Sequence, residues 1–178
     1  MTDWDAIVLH DGPAVWRTLW RLLGNRADVE ECFQETFLSA LQFSRAQRVR
    51  HWSALLQRLA TARAVDRLRV RYRVREALGE ENGQLDVDAA SSCRPGPVEL
   101  AAASELSERL RQALARLSQE QAEIFSLHAL SGWSYEEIGR QLGMSSSNEG
   151  VTLYRARHRL GELLSEFVGD RQTSGGMS

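Results

Sequence analysis

The chain has 178 residues, a formal net charge of −2 and 43% hydrophobic residues, enough for one mid-sized domain or two small ones. This net charge excludes a protein that is basic over its whole surface, so any nucleic-acid contact must be local. No stretch approaches the roughly 20 apolar residues of a membrane span, and the N-terminus lacks the pattern of a signal peptide. We therefore expect a cytoplasmic protein without membrane insertion.

The sequence offers no residues on which to base an enzyme. It has no glycine-rich phosphate loop, no G-x-S-x-G elbow and no H-E-x-x-H motif. Cys32 and Cys93 lack C-x-x-C spacing, which favours reduced thiols over a disulfide. No histidine has a cysteine or second histidine at metal-ligand spacing; the four are His10, His51, His128 and His158. We predict no enzymatic activity, no cofactor and no metal.

The first predicted helix covers Trp4 to Leu23, where apolar residues recur at helical spacing. Gly12-Pro13 is a candidate break within it, with Asp11 as the N-cap of the second part. Gly24-Asn25 predicts the end of this helix, because glycine readily adopts the left-handed conformation found at helix C-termini.

A second helix is predicted to start at Asp28, and Ser44 to Arg50 is predicted to be a loop. Its first two turns are crowded with acids, Glu30, Glu31 and Glu35 as well as Asp28, where the helix dipole favours negative charge. These acids form a face to which a basic partner would bind. A solvated helix surface explains the same pattern equally well.

A third helix is predicted from His51 to Ala77. Ten arginines and one acid lie between residues 45 and 75, and no Gly, Pro or Asn interrupts the alternation of arginine with apolar residues. One face of the helix is basic and contains an aromatic side chain; it carries Arg63, Arg67, Arg69, Arg71, Tyr72, Arg73 and Arg75. Such a face is typical of nucleic-acid binding. Cations placed at a helix C-terminus, or a docking face for an acidic protein, are the alternatives.

Residues 79–97 are rich in Gly, Ser, Asp and Pro, which predicts a linker between two domains or a surface loop within one. Eight acids and one arginine lie between residues 76 and 108. This change from basic to acidic composition favours a domain boundary. A further helix is predicted from Val98, and the final residues, RQTSGGMS, are predicted to be a frayed tail.

Residues 117–164 contain three signals for helix starts. A serine is followed three residues later by Gln or Glu, as in a capping box, at Ser118–Gln121, Ser134–Glu137 and Ser146–Glu149. The second signal precedes a short helix, and Gly143 separates this helix from a longer one that starts at about Ser147. A short helix, a glycine turn and a longer helix are typical of a helix-turn-helix.

The longer helix has two different faces. Its inner apolar stripe consists of Leu153, Ala156, Leu160, Leu163 and Phe167. Another face carries side chains that suit base edges and phosphates, namely Asn148, Thr152, Arg155 and Arg159. A solvated arginine-bearing helix is the alternative, but the short capped helix and tight turn before it favour DNA contact.

Two separate parts of the chain resemble one protein family. The segments DVEECFQETFLSAL (28–41) and WSALLQRLATARAVDRLRVR (52–71) resemble the core-polymerase-binding part of bacterial sigma factors. The segments LARLSQEQAEIFSLHALSGWSYEEIGRQLGMS (114–145) and YRARHRL (154–160) resemble the C-terminal domain of the same proteins. Two such domains joined by a short linker are similar to sigma factors of the extracytoplasmic-function type.

The resemblance implies three binding surfaces. Core RNA polymerase would bind Asp28, Glu31, Phe33, Gln34, Glu35 and Phe37. The −10 element of promoter DNA would meet Arg63, Arg67, Arg69, Arg71, Tyr72 and Arg73. The −35 element would be read by Ser146, Ser147, Asn148, Val151, Thr152, Arg155 and Arg159. The family also implies an anti-sigma protein as an inhibitory partner.

The recognition helix departs from the family pattern. Where the family usually has G-T-V-K-S-R-L, residues 147–153 read SNEGVTL. Glu149 stands in place of a buried valine, and the usual basic residues are lost at Gly150 and Thr152. Fewer cationic contacts predict weaker DNA binding that depends less on salt. This pattern fits either unusual −35 recognition or a different target for the second domain.

Taken together, these patterns predict an all-α protein of two small helical domains joined by a flexible acidic linker. The predicted boundaries are 1–78 for the polymerase and −10 domain, 79–97 for the linker, 98–170 for the helix-turn-helix domain and 171–178 for a disordered tail. The function that the resemblance implies is that of a transcription initiation factor. Two alternatives remain open at this point: a sigma-derived decoy that only binds other proteins, and a stand-alone DNA-binding regulator.

Overall fold

The computed structural model describes the backbone of residues 2–79, 97–143 and 146–173, and in these stretches it contains helices and no strands. The side chains of 97–102, 146–149 and 166–173 fall outside the described part. The helices are α1 Trp4–Leu23, α2 Arg26–Ala46, α3 Trp52–Ala77, α4 Pro97–Arg116, α5 Gln119–Phe125, α6 Tyr135–Leu142 and α7 Ser146–Thr173, with a π-helical segment, Ser126–Leu130, after α5. The predicted all-α fold is confirmed. The predicted linker falls almost wholly on residues 80–96, outside the described residues.

Helix α1 is continuous, so a break at Gly12-Pro13 is wrong. Pro13 removes the hydrogen bond to the carbonyl four residues earlier, at Leu9, but Leu9 is 82% exposed and water is available there. Asp11 does not cap a second helix. Its buried carboxylate instead accepts a hydrogen bond from the Ser53 hydroxyl, which ties α1 to the start of α3.

Helix α2 begins at Arg26, so the predicted start at Asp28 is wrong. The cap is Asn25, whose side-chain oxygen accepts a hydrogen bond from the Asp28 backbone N–H at 2.9 Å. The Asp28 carboxylate lies in the first turn and accepts a hydrogen bond from the Asn25 amide at 2.8 Å. The helix also continues to Ala46, three residues into the predicted loop 44–50. The loop in the structure is therefore residues 47–51.

Two of the three predicted capping boxes are confirmed. Ser118 and Gln121 cap α5, and Ser134 and Glu137 cap α6, each by reciprocal bonds between side chain and backbone. The third pair involves side chains outside the described residues, although α7 does begin at Ser146. Gly143, with a φ of 68°, ends α6. Helices α6 and α7 thus form the predicted helix-turn-helix.

One hydrophobic core is shared by the two halves of the chain. The first half contains α1 to α3, and the second half contains α4 to α7. Leu19, Leu56 and Leu68 from α1 and α3 belong to the same buried cluster as Leu114 and Leu163 from α4 and α7. A smaller cluster under the helix-turn-helix contains Ile124, Leu127, Ile138 and Leu153. Helix α3 lies at the centre, because it packs against α1, α2, α4, α5 and α6. The two halves therefore share an interface in this structure.

Gly24 lies between α1 and α2 at that interface. Its φ of 70° places it in the left-handed region, where side chains are strained. A β-carbon at this position would overlap the guanidinium of Arg111 on α4. The same guanidinium donates a hydrogen bond to the carbonyl of Leu22 at 3.0 Å. A side chain at position 24 would therefore have to displace the Arg111 guanidinium.

We expect Gly24→Ala to destabilise the protein more than Gly132→Ala. Both positions have a positive φ, which costs alanine about 1–2 kcal/mol in the left-handed conformation. A β-carbon at Gly132 meets nothing within 4 Å, whereas at Gly24 it displaces Arg111 from its partners. Urea unfolding of both variants measures the difference. Equal losses would contradict the close contact between Gly24 and Arg111.

Candidate nucleic-acid and protein interfaces

The predicted polymerase-binding residues of α2 divide into exposed and packed groups. Glu31 and Gln34 are exposed, while Asp28 and Glu35 are half-buried. Phe33 and Phe37 are also half-buried and pack against the core. Their rings lie 4.9 Å apart, and Phe33 also contacts Trp16. The two aromatic residues thus contribute to packing, and the exposed polar residues are more accessible to a partner.

The acids of α2 face the arginines of α3. Arg67 binds Glu31 at 2.6 Å and approaches Asp28 at 3.8 Å, while Arg71 approaches the other oxygen of Asp28 at 3.3 Å. The hydrogen bond to Glu31 raises the pKa of Arg67 above its ordinary value. The structure thus brings together two sets of residues to which the sequence assigned different partners. Their charges partly neutralise each other.

A second cluster of charges joins α3 to α4. The Glu108 carboxylate lies 2.9 Å from Arg75, and 3.6 Å from each of Arg71 and Arg111. It also accepts a hydrogen bond from the Tyr72 hydroxyl. The guanidinium groups of Arg71 and Arg75 lie 5.3 and 5.4 Å from the centre of the Tyr72 ring, within cation–π range. One acid from the second half therefore engages four side chains.

Burial changes the titration of this cluster. It raises the pKa of the Tyr72 hydroxyl to about 12, and the hydrogen bond to Glu108 acts in the same direction. Burial also lowers the pKa of the Arg111 guanidinium from its ordinary value, against the opposing effect of the Glu108 charge. Both shifts follow from the partial burial of these side chains between α3 and α4.

Arginines also bind the free carbonyl groups where helices end. Arg69 donates to Leu117 just after α4 and to the Gln119 side chain at 2.7 Å. Two further contacts from the first half reach carbonyls of the second, from Arg58 to Gln141 at 2.6 Å and from Arg21 to Leu130 at 2.6 Å. The last carbonyls of a helix lack partners within it and carry partial negative charge. These contacts therefore satisfy acceptors that the helices leave open.

Two members of the predicted −10 surface remain exposed. Arg63 donates to the Ser39 hydroxyl at 3.0 Å and Arg73 donates to the Arg69 carbonyl at 3.3 Å, and both side chains otherwise face solvent. Arg67, Arg69, Arg71 and Tyr72 are engaged as described above. The loop 47–51 adds two exposed arginines, at 48 and 50, that the sequence interpretation assigned only to a polar loop. The sequence analysis counted both in the arginine-rich segment but assigned neither to a binding surface.

The described part of α7 leaves three of the predicted −35 residues at the surface. Arg155 and Arg159 are exposed, and Val151 is 47% exposed. Thr152 is only 7% exposed, so it is not accessible at the surface as Arg155 and Arg159 are. It lies four residues before the buried Ala156 and so belongs to the inner side of the helix. The side chains of Ser146, Ser147 and Asn148 lie outside the described residues.

The exposed side of α7 includes residues that the sequence interpretation did not select. Tyr154 is 70% exposed, and Arg157 and His158 are exposed as well. Arg159 forms an ion pair with Glu162 at 2.9 Å. Gly150 is open, because a β-carbon there would meet nothing within 4 Å. The exposed surface of α7 therefore carries basic and aromatic side chains in its described part. Position 150 contributes no side chain to this surface.

The described residues were also searched for a metal site, a disulfide and a membrane-spanning helix. Among the described residues, no three His, Cys, Asp or Glu side chains are grouped so that they would hold a metal ion. Cys32 is buried and unpaired, and burial raises the pKa of its thiol to about 11; Cys93 lies outside the described residues. None of the described helices is both long enough and apolar enough to cross a bilayer.

Family models match both halves of the chain. Residues 7–74 match sigma-70 region 2, and residues 107–160 match sigma-70 region 4. The ECF RNA polymerase sigma factor SigE of Mycolicibacterium smegmatis is 32% identical over 175 residues, which are 98% of this chain and 66% of that protein. The chain thus spans slightly less than two thirds of this relative. The RNA polymerase sigma factor CarQ of Myxococcus xanthus is 30% identical over 159 residues, 87% of this chain and 85% of that protein.

Solved structures show the same fold. The sigma factor RpoE of Bartonella quintana, in complex with the anti-sigma factor NepR, matches with a TM-score of 0.57 and 23% identity over 93% of this chain and 98% of that one. CnrH, in complex with the cytosolic domain of CnrY, matches with the same TM-score and identity over 91% of this chain and 87% of that one. With the matches of both regions and the extent of the likeness to CarQ, the chain belongs to the bacterial RNA polymerase sigma factors, in their extracytoplasmic-function group.

Proposed function

We propose that this chain is a transcription initiation factor that binds core RNA polymerase and directs it to specific promoters. The observation that carries the proposal is the pair of family matches, region 2 on the half with the arginine-rich α3 and region 4 on the half with the helix-turn-helix. The factor performs no chemistry. It contributes binding energy to promoter recognition and strand opening, and the polymerase makes the RNA. Because this work takes place on the chromosome, we infer a cytoplasmic location.

Core polymerase would dock on the acidic side of α2. Glu31 and Gln34 are exposed there, and Asp28 and Glu35 flank them at half-buried positions. Asp28 is held by Asn25 and Arg71, so its contribution would be mainly to shape the surface. Phe33 and Phe37 support the docking helix from the core side. A basic surface on the polymerase suits this arrangement because it meets exposed carboxylates at the rim of the contact.

Promoter DNA would contact two basic surfaces. The −10 strand would bind first at Arg63 and Arg73, which are exposed, and then at Arg67, Arg69, Arg71 and Tyr72. The −35 duplex would meet α7 through Val151, Arg155 and Arg159, together with Ser146, Ser147 and Asn148. Because Thr152 is buried, its contribution would be to hold the helix in position. Val151 suits a thymine methyl group in the major groove, and the arginines suit phosphates or guanine.

An anti-sigma protein would hold the factor inactive. Two solved structures with this fold, RpoE and CnrH, are complexes with the anti-sigma factor NepR and with the cytosolic domain of CnrY. We infer that an inhibitor of the same kind binds this chain. It would have to cover the polymerase-binding acids or the DNA-binding arginines to prevent initiation.

Transcription from a promoter library tests the proposal. The purified chain is mixed with bacterial core polymerase and promoter fragments from its own genome, and RNA start sites are mapped. We expect specific starts that require both proteins. Polymerase binding without starts would instead indicate the decoy, which the open Gly150 and buried Thr152 favour. Retention of duplex DNA without polymerase would indicate a stand-alone regulator.

The docking surface is tested by Gln34→Arg, with Gln47→Arg as the matched control. Both glutamines are exposed; Gln34 lies within α2, and Gln47 is the C-cap of this helix. A new cation among the acids opposes a basic polymerase surface, and we expect capture of core polymerase to weaken by about tenfold, equivalent to about 1.4 kcal/mol. Gln47→Arg is expected to stay within about twofold of the unmodified chain. Equal capture by the two variants, in a competition assay, would refute this docking assignment.

A further inference from the structure

The exposed side of α7 carries a carboxylate that an arginine and a histidine share. One oxygen of Glu162 accepts a hydrogen bond from the Arg159 guanidinium at 2.9 Å, and the other lies 3.4 Å from Nδ1 of the His158 imidazole. We call these three residues the α7 charge cluster. Arg159 is one of the residues proposed to meet the −35 duplex, so the cluster places an acid directly beside a DNA-binding cation.

The α7 charge cluster lies on the same side of α7 as the proposed DNA contacts. Val151, Arg155, His158 and Glu162 follow each other at intervals of four, three and four residues, which places them along one face of a helix. All four are exposed, whereas Ala156 on the opposite side is fully buried. The rise of 1.5 Å per residue puts Glu162 about 10 Å beyond Arg155, less than the roughly 12 Å width of a major groove. A duplex that reaches Arg155 therefore brings its phosphates close to Glu162.

An ionised carboxylate at this position opposes DNA binding. The hydrogen bond from Arg159 lowers the pKa of the Glu162 carboxyl below its ordinary value, so Glu162 is charged at neutral pH. Its ion pair with Arg159 is exposed to water and contributes little to the stability of the helix. The same pair matters more to DNA, because the carboxylate repels phosphates and occupies the guanidinium that would neutralise one of them. Glu162 therefore removes one cation from the proposed contact.

His158 makes this arrangement depend on pH. Histidine is the side chain whose charge ordinarily changes between about pH 5 and 8. When His158 is protonated, Glu162 is shared by two cations, and the cluster changes from neutral to one positive charge. Less of the carboxylate's charge then opposes the release of Arg159 to a phosphate.

The surroundings of His158 are provided by its own helix. Among the described residues, its contacts are with Glu162 and with Tyr154, whose ring centre lies 6.4 Å from that of the imidazole. Helices α4, α5 and α6 pack against α7, but in the described part of the chain no ion pair or hydrogen bond joins their charged side chains to His158. The charged groups next to it along α7 are Arg155, Arg157, Arg159 and Glu162.

We infer that Glu162 is a positioning residue that holds Arg159 back from the −35 duplex, and that protonation of His158 weakens this hold. At neutral pH, Arg159 is bound to Glu162 and one phosphate contact is lost. As the pH falls, His158 takes over part of the carboxylate, and Arg159 turns to a phosphate. This role rests on the proposed function for the identity of the duplex, whereas the exchange of Arg159 between carboxylate and phosphate is a property of α7 itself.

Duplex binding at low salt tests the role of Glu162. The probe is a short, fluorescently labelled DNA duplex of arbitrary sequence, and its binding to the full chain is followed by fluorescence anisotropy from about 50 to 200 mM salt. We expect Glu162→Gln to bind about threefold more tightly than the unmodified chain at the lowest salt. We also expect the slope of log affinity against log salt to steepen by about 0.9, the contribution of one phosphate contact. The matched control is Glu120→Gln, an exposed position on α5 with the same change in charge, which is expected to keep the slope of the unmodified chain.

His158→Gln tests the dependence on pH in the same assay. We expect the unmodified chain to gain about twofold in affinity between about pH 7.5 and pH 6, and His158→Gln to lose most of this gain. The control is His10→Gln on α1, an exposed histidine outside α7, which is expected to keep the gain.

Circular dichroism establishes that each variant keeps its helical content. Equal affinities and equal salt slopes for Glu162→Gln and Glu120→Gln would overturn the role of Glu162, and an undiminished pH gain in His158→Gln would overturn that of His158. Binding at low salt to an arbitrary sequence is distinct from the specific retention expected of a stand-alone regulator. The promoter-library assay is independent of these outcomes, so a failed charge cluster and a failed initiation factor are distinguishable.

Discussion

The pairing of arginines with carboxylates and helix-end carbonyls holds the two halves of this chain together. Arg69 and Arg111 each donate across the interface to a carbonyl at the end of a helix in the other half. Glu108 adds a carboxylate that three guanidinium groups share. Arginine suits this task, because its guanidinium stays charged when partly buried and donates in several directions at once. The same helix, α3, also contributes Leu56 and Leu68 to the hydrophobic core that the two halves share.

The consequence is that α3 serves both the fold and the proposed recognition of DNA. Leu68 lies in the core, whereas the arginines that surround it bind α2 on one side and α4 and α5 on the other. A helix that carried its arginines only for DNA would leave them in solvent. Here most of those in the described residues have internal partners, so the proposed promoter binding would exchange one set of acceptors for another. Such an exchange would link the proposed initiation activity to the arrangement of the two halves.

Much of the fold followed from local signals in the sequence. The glycine at position 24 and the capping boxes at Ser118 and Ser134 act within a few residues, and each ends or starts a helix as predicted. The candidate break at Gly12-Pro13 failed for a non-local reason, because the exposure of Leu9 and the bond from Ser53 to Asp11 depend on the packing of α1. The burial of Thr152 likewise depends on which side of α7 meets the core.

The high density of arginines on α3 could also be predicted from the sequence, but the residues that they bind could not. Tyr72 meets a residue 36 positions away, and Arg69 meets residues 48 and 50 positions away, across the acidic segment that the sequence interpretation treated as a linker. Charge patterns identify a basic surface without showing what covers it. The partners of such a surface follow only from tertiary structure.

The two halves of the free chain pack against each other at one defined interface. Pulsed electron resonance between spin labels at two exposed positions, Ala77 on α3 and Ser107 on α4, with the native cysteines replaced, measures this directly. The structure predicts one narrow, short distance in the free chain. A broad distribution of long distances in the free chain would contradict it.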